Sequence, residues 1–543
     1  MLATMVDGTF ASRSDGIRDV VVVGQDAALW LSVCVIQAAL APAGVKVTAI
    51  ELPTRLGPSD FYASQPALEA LHGRLRIDEA QLLASTGGSF TLGQNFTNSP
   101  GTIVSGRAAS GTTTSAMARS RTTASGTTAS GTVVSGVPTS GTTHAFFHAY
   151  GAYGTLVADK PFLPHWLLAR RFGLPATLED FALNAAAAKL GRMLIPDPAV
   201  QSYGRADYAY HLPAREYVAA LKRHAMKNAT RIHEATRCDV EFSAEGAIAA
   251  LKLDGERRIS GQLFIDATGE EAQLMSALGS QRESWRDYFV ADRILVASAS
   301  RLRSIPPYAE IRAWEKGWVG LFPSQTRTHV AQVYASSLTT EDEALRMATE
   351  VAALALQDAT TKVSTPGRNH HAWHRNCIAV GEAACTLDPL HSVDLHAIQL
   401  GLVHWLSLFP VSDDFDAERD EYNRVMQSSF ERVRDFQSTY YALLPRGCNV
   451  ITSDALKHKI ETFRSRGDLP MYENETFTAD SWHALLLGCG VVPETLGPMV
   501  ETTSPDTIRQ EFRRMLGFIK DTVLRQPSHD TYLKTLSSQG RAS

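Results

Sequence analysis

The stretch DVVVVGQDAALW, Asp19–Trp30, decides how this 543-residue chain folds. Four consecutive valines, Val20–Val23, form a short apolar run of β-branched residues, which predicts a buried strand over Asp19–Gly24. Ala27–Ala41 has helical composition, Pro42 and Gly44 supply the stop, and VKVTAIE at Val45–Glu51 reads as a second strand. Strand, turn, helix and strand in this order open a dinucleotide-binding βαβ unit. In the glycine-rich version of such a turn, glycines permit the bend and let backbone N–H groups approach a pyrophosphate at the helix N-terminus. Gly24 holds the first of those positions, while Asp26 and Leu29 hold the other two. Gly24, Asp26, Ala27 and Ala28 are thus the candidate cofactor residues of the turn, and Glu51 is the candidate ribose-binding acid. A carboxylate at 26 predicts repulsion of a phosphate and a weak hold on the cofactor.

The rest of the composition is that of a soluble globular protein, with 44% apolar and 20% charged residues. A length of 543 residues exceeds one ordinary core, so two or more packed lobes are expected. The net charge of −5, with dispersed Lys and Arg, gives no basis for a nucleic-acid partner. Six scattered cysteines form no CxxC pair, so neither a zinc site nor a disulfide framework is expected, and reduced thiols in a cytoplasmic protein is the plain reading. The polar first residues carry no secretory pattern. The apolar run Val20–Ala41 is long enough to span a membrane, but Gln25 and Asp26 interrupt it, and a buried strand and helix account for it without a membrane.

Along the chain the expected organisation is a tail at 1–18, the βαβ start at 19–104 and an insert at 105–143. The remainder of the cofactor and substrate lobe follows at 144–410, then a helical C-terminal lobe at 411–530 and a second tail at 531–543. The insert is set apart by a serine at every fifth position from Ser105 to Ser140, most often followed by Gly. No large apolar residue recurs in that period, so the repeats cannot stack a core, and disorder is expected. Pro66–Ser85 has helical character with a break at Gly73, and Arg215–Lys227 reads as a basic amphipathic helix. Arg237–Phe242, Ala247–Asp254 and Arg258–Asp266 read as a β-meander.

Two further constellations bear on chemistry. LFIDATG, Leu263–Gly269, is a strand ending in small residues that let backbone lie against a cofactor, with Gly269 as the candidate contact. NCIAVGEAACTLDPLHSVDLHAIQLGL, Asn376–Leu402, is a strand, a Gly-x-Ala-Ala turn, an Asp-Pro pair and a helix. It contributes Gly381, Glu382, Ser392, Val393, Asp394 and Leu395 as candidate cofactor residues.

With GGSFTLGQNFTNSP (Gly87–Pro100), DYAYHLPAREYVAALKRHA (Asp207–Ala225), WRDYFVADR (Trp285–Arg293), GWVGLFP (Gly317–Pro323), YNRVMQSSFERVRDFQSTYYALL (Tyr422–Leu444) and SWHALLLGCGVVP (Ser481–Pro493), the chain resembles the flavin-dependent tryptophan halogenases over nearly its whole length outside the insert. The resemblance implies an α/β, two-lobed FAD-binding flavoprotein with a helical C-terminal lobe. It also implies FAD as cofactor, a separate flavin reductase, and an aromatic, indole- or tryptophan-like substrate. A halide is a further candidate partner, as is a second copy of the chain in a homodimer. In that family oxygen and reduced FAD yield an oxidant for halide. A tunnel leads hypohalous acid to a lysine beside the substrate, assisted by a glutamate.

The family's lysine position is Thr91 in this chain and its glutamate position is His391, which makes these two the candidate catalytic residues. The Thr-Gly pair that frees backbone N–H groups for halide is Val393-Asp394, and the WxWxIP motif is reduced to Trp318, Phe322 and Pro323, the candidate tunnel residues. For each a plainer reading stands beside the functional one: His391 as a hydrogen-bonded core histidine, Thr91 as a strand filler, Trp318 as core. These changes fall on functional positions while scaffold motifs persist. Three readings follow: a halogenase or related monooxygenase with an altered site, a member without turnover that binds a ligand or partner, and a flavoprotein hydroxylase that needs no halide. Limited proteolysis is expected to cut first within Ser105–Ser140 and to leave two fragments that stay associated; protection of that segment in hydrogen exchange would contradict its reading as disordered.

Overall fold

The computed structural model describes residues 16–97, 145–195, 207–227, 230–289, 291–314, 317–443, 450–497, 500 and 502–542. The Ser105–Ser140 insert lies outside the described residues.

The Val20–Val23 run forms the centre of a six-stranded sheet. Asp19–Gly24 pairs in parallel with Leu263–Ala267 on one side and with Lys46–Glu51 on the other. Cys377–Ala379 extends the sheet beyond the former and Arg231–Glu234 beyond the latter, both in parallel. Parallel strands need covered faces, and the helix Asp26–Leu40 supplies one cover. By length and composition the segment 26–43 could cross a membrane, but Leu29, Trp30, Val33 and Ile36 are buried within the protein core. The three motifs that are distant in sequence, ending at Gly24, Ala267 and Ala379, thereby end side by side.

A second, seven-stranded sheet runs Gln357–Val363, Arg293–Ser300, Arg327–Tyr334, Gly317–Pro323, Ala309–Trp314, Gly93–Thr97 and Phe146–Ala149. It is antiparallel except where Ala309–Trp314 meets Gly93–Thr97. One hydrophobic cluster runs from Ile17 to Leu533 and joins the large sheet, the helices and part of this second sheet. A smaller cluster packs the helix Glu341–Ala352 onto the outer face of the seven-stranded sheet. The 28-residue helix Asp416–Leu443 buries an unusual polar stripe that includes Ser429, Gln437, Ser438 and Thr439.

Three sequence expectations are revised. The span Arg258–Asp266 is two strands in two sheets: Arg257–Ser260 closes the meander, and Leu263–Ala267 enters the large sheet. Gly261 makes this crossing possible, since a Cβ there would stand 2.6 Å from Val21 Cγ2. The helical break in Pro66–Ser85 falls at residues 75–78, where Asp78 caps the second helix through Gln81 N–H, and Gly73 lies inside the first. Residues 531–543 are no tail, because all but the last belong to the helix His529–Ala542, which packs on Glu79–Thr86. His529 anchors it: fully buried, its ring accepts from Phe90 N–H at 3.3 Å and its Nδ1 lies 3.0 Å from the Ile305 carbonyl.

Asp266 ties the FIDATG turn together. Fully buried, it accepts from Thr268 N–H at 3.0 Å and Thr268 Oγ1 at 2.6 Å, and from Leu274 and Met275 N–H at 2.9 and 3.0 Å. Asp266→Ala would strand these donors away from water and is expected to lower stability by about 3 kcal/mol, with a smaller loss for Asp266→Asn. A urea titration of the purified variants checks this, and an unchanged midpoint for the alanine variant would contradict it.

Candidate functional site

A cleft of about 220 Å3 lies at the carboxyl ends of the central strands, where open parallel sheets bind ligands. Of the sequence candidates, Asp26, Ala28, Gly269, Gly381, Glu382, Ser392, Asp394 and Phe322 line it. Gly24 lies beneath, and only glycine fits there: a Cβ would stand 2.0 Å from the Ala267 carbonyl oxygen. Ala27, Val393 and Leu395 face the core instead. Glu51 is outside the described lining, where it accepts from Trp30 Nε1 at 3.2 Å and pairs with Lys222 at 2.5 Å.

Asp26 takes over the backbone role of a glycine. Its backbone is left-handed, φ 58°, the conformation a glycine would supply and one that Asp tolerates better than most residues. Its carboxylate is not unpaired, because it accepts from Thr54 Oγ1 at 2.5 Å and from Arg55 N–H at 3.1 Å. Asp26 therefore ties the loop after the second strand to the turn. Leu29 is fully buried, so a glycine there would remove a core side chain.

The cleft is crowded with acids. Asp26, Asp60, Glu382 and Asp394 line it with Arg55 and Lys362. Both cations are already engaged, Arg55 with Glu271 at 2.7 Å and Lys362 with Asp60 at 2.8 Å. Asp394 opens the helix Asp394–Ser407, whose dipole favours an ionised acid there. Although the Asp394 side chain is exposed to the open cleft, the protein atoms packed around it, with the charges of Glu382 and Asp388, outweigh the helix dipole and Lys362, pushing its carboxyl up to about 7. Glu382 and Asp26 are raised in the same way.

The turn Asp388–Asp394 lines this cleft through Pro389, Ser392 and Asp394, and none of its residues lines a second cavity of about 420 Å3 whose walls include Gln65, His148, His396 and Phe477. His391 (φ 66°) and Ser392 (φ 58°) are both left-handed, so their side chains diverge. Ser392 faces the cleft and its Oγ accepts from Gln94 Nε2 at 3.0 Å. The His391 ring packs among Phe96, His148, Phe436 and Phe477, of which His148 and Phe477 line the second cavity. The reading of His391 as a hydrogen-bonded core histidine is corrected here: it is fully buried, yet neither ring nitrogen has a partner. Burial, and then the neighbouring His148, holds the His391 ring well below the usual imidazole range, so it is neutral.

Thr91 closes the strand Ser89–Thr91, is 1% exposed, and donates its hydroxyl to the Gly93 carbonyl at 3.0 Å. It lines neither cavity. Trp318 is fully buried and donates Nε1 to Tyr441 Oη at 2.9 Å, which donates in turn to Asp388 Oδ2 at 2.7 Å. Pro323 acts through its carbonyl, which accepts from Ser89 Oγ at 2.5 Å. Gly320 leaves no room for a larger residue, since a Cβ would stand 2.6 Å from the Phe322 ring and 2.9 Å from that of Trp318.

Sequence reasoning missed Arg55, Asp60 and Lys362 in the cleft, His148 and Phe477 in the second cavity, and the Gln65, Gln94, Gln437 and Tyr441 supports of the turn. A polar stripe within Asp416–Leu443 was the only signal for the last two.

The tryptophan halogenase family model matches residues 19–505. The tryptophan 6-halogenase ThaL of Streptomyces albogriseolus is 26% identical, covering 88% of this chain and 90% of that protein. The tryptophan 7-halogenase KtzQ of Kutzneria sp. (strain 744) is 25% identical, covering 96% and 98%. Among solved structures, a flavin-dependent halogenase from Xanthomonas campestris superimposes with a TM-score of 0.83 at 27% identity, over 96% of this chain and 98% of that one. BrvH, a flavin-dependent halogenase from Brevundimonas sp. BAL3, gives 0.81 at 26% identity over 96% and 99%. With its parallel sheet, its cleft and the match running almost from end to end, this chain belongs to the tryptophan halogenase family.

Proposed function

We propose that this protein is an FAD-dependent oxidoreductase that acts on an aromatic, indole-like substrate with dioxygen, through a site in which the family's halide-directing groups have been replaced. The observation that carries this reading is the Asp388–Asp394 turn. Its Ser392 and Asp394 line the cleft at the strand ends, and it carries a neutral, unpartnered imidazole where the family resemblance implies a carboxylate. The shape of the cleft fits FAD: Gly24 and the small residues Ala28, Gly269 and Gly381 let backbone come close, and Gln25, Arg55, Ser392 and Asp394 offer polar contacts. Its charge fits less well, because acids outnumber the engaged cations. A separate flavin reductase would supply the reduced cofactor, and bound there it would supply the electrons that activate dioxygen. His391 lines neither cavity, so its neutral ring with a free acceptor nitrogen is held among aromatic neighbours, of which His148 faces the second cavity. A protonated Asp394 can donate a hydrogen bond into the cleft, whereas an ionised one repels halide.

Thr91 has no amine, and its hydroxyl is committed to Gly93. Supplied with FADH2, oxygen and chloride or bromide, the protein is expected to halogenate tryptophan at least about 100-fold more slowly than a competent relative. Thr91→Lys alone should stay nearly inactive, because groups acting as one unit are not additive. Thr91→Lys with His391→Glu and Asp394→Gly should recover measurable turnover. Efficient single-isomer halogenation by the unmodified chain, read by mass, would overturn the replaced-site reading. If product forms without halide, the hydroxylase form of the proposal stands. A purified protein that takes up no FAD would instead favour a ligand-binding member without turnover.

The acid-rich cleft gives cofactor binding a pH dependence of known sign. FAD carries an anionic diphosphate, so its binding favours protonated Asp394, and the complex takes up a proton. Affinity should therefore rise as pH falls from 8 to 6 through the Asp394 value of about 7, by about threefold to tenfold. Asp394→Asn should flatten that dependence. Flavin fluorescence titrations across this range check it, and an affinity that rises with pH would contradict it.

A further inference from the structure

One wall of the second cavity comes from a stretch that belongs to no helix or strand. Residues 467–478 join the helix Asp454–Arg466 to the helix Ala479–Gly488, and Thr476 and Phe477 line the cavity from this connection. No ladder or helical turn fixes such a segment, so its course depends on what its side chains hold. Glu475, the residue before the wall, is held from both helices. Its Oε1 pairs with the Lys459 amine of the first helix, and its Oε2 accepts from Trp482 Nε1 of the second at 3.2 Å. The pair is shut off from water, with side chains 2% exposed for Lys459 and 6% for Glu475. Lys459 Nζ also lies 4.2 Å from the centre of the Trp482 ring and 4.9 Å from that of Tyr472, which belongs to the same connection. Asn474 turns the backbone into this clamp with a left-handed φ of 60°, which Asn tolerates better than most residues.

Aromatic rings join the clamp to the cavity. Trp482 meets Phe436 edge-on at 4.9 Å, and Phe436 stacks on Phe477 at 3.7 Å with 10° between the planes. Thr476 Oγ1 lies 3.4 Å from Nε2 of His396, which also lines the cavity. Thr476 and Phe477 follow Glu475 by one and two residues, at most about 8 Å along the chain from the pinned position. An apolar pair in place of Lys459 and Glu475 would fill the same space without the cost of burying two charges. What it would lack is direction. A carboxylate fixed by an ammonium and an indole N–H admits one placement, whereas apolar contacts are non-directional and admit several.

We propose that Lys459 and Glu475 are positioning residues for the second cavity: their ion pair sets the place of the Phe477 ring, and with it how large an aromatic ligand the cavity admits. This rests on the reading that the cavity receives the aromatic substrate of the proposed oxidoreductase.

The test replaces both partners at once. Lys459→Met with Glu475→Leu leaves no charge unpaired and is expected to melt close to the unmodified chain, whereas Lys459→Met alone, which strands a buried carboxylate, should melt well below it. In the double variant, hydrogen exchange at residues 475–478 should nevertheless quicken about tenfold. By calorimetry on the full chain, the double variant should also lose most of the preference for indole over the bulkier 5-benzyloxyindole. Lys459→Arg, which keeps the cation, should retain that preference. A double variant that melts as low as Lys459→Met alone would overturn the proposal, because the pair would then serve stability. So would unchanged exchange at 475–478, or a double variant that keeps the indole preference of the unmodified chain. If the unmodified chain binds neither probe while exchange responds as expected, the reading of the cavity as a substrate site is overturned and the positioning of its wall is upheld.

Discussion

The turn Asp388–Asp394 is the constraint on which the site depends, because it lines the cleft through Pro389, Ser392 and Asp394 and is held from several elements at once. Asp388 accepts from Tyr441 Oη and from Leu390 N–H, and Gln437 donates to the carbonyls of both Asp388 and Leu390. Gln65 donates to the His391 carbonyl and Gln94 to Ser392 Oγ. These partners come from the long C-terminal helix, from the loop before the helix Ala67–Arg74, and from the seven-stranded sheet. Two consecutive non-glycine residues with left-handed backbone cost about 1 kcal/mol each. They persist because this many hydrogen bonds over-determine the turn. The result is a divergence of adjacent side chains, Ser392 to the cleft and His391 into a set of aromatic rings.

Charge is distributed unequally about that turn, and the inequality is chemical information. On the cleft side, acids are close enough to raise one another, and the two cations are spent on Asp60 and Glu271. A cleft of this kind binds an anionic cofactor against an electrostatic cost that falls when a carboxyl is protonated. On the other side the titratable groups nearest the turn are imidazoles whose charged forms burial forbids. The imidazoles there are neutral and carry free acceptor nitrogens.

Aromatic packing ties the residues around the turn into the frame. Gly320 leaves room for the rings of both Trp318 and Phe322, and Trp318 reaches Tyr441 and, through it, Asp388. The reduced tryptophan motif therefore still supports the turn, through a hydrogen-bond relay as well as through packing. Thr91 is absorbed similarly into local structure by its bond to Gly93. Both side chains are thereby satisfied within the scaffold.

Much of the frame was legible in the residues because its signals are local. The valine run, the helix stop at Pro42 and Gly44, and the strand ending in Glu51 each obey short-range rules of periodicity and breaking, and they place the parallel sheet and the cleft at its carboxyl edge. Positions such as Thr91 and His391 could be picked out by their departure from a family pattern, without any knowledge of what surrounds them. What surrounds them belongs to tertiary structure. That Asp26 is paired rather than bare depends on Thr54 and Arg55, a loop and a strand away. That His391 is orphaned rather than satisfied depends on four aromatic rings from four separate segments. The C-terminal residues form a helix because His529 finds Phe90 and Ile305, more than two hundred residues away. Desolvation and hydrogen-bond satisfaction are sums over neighbours in space, and sequence order lists only neighbours along the chain.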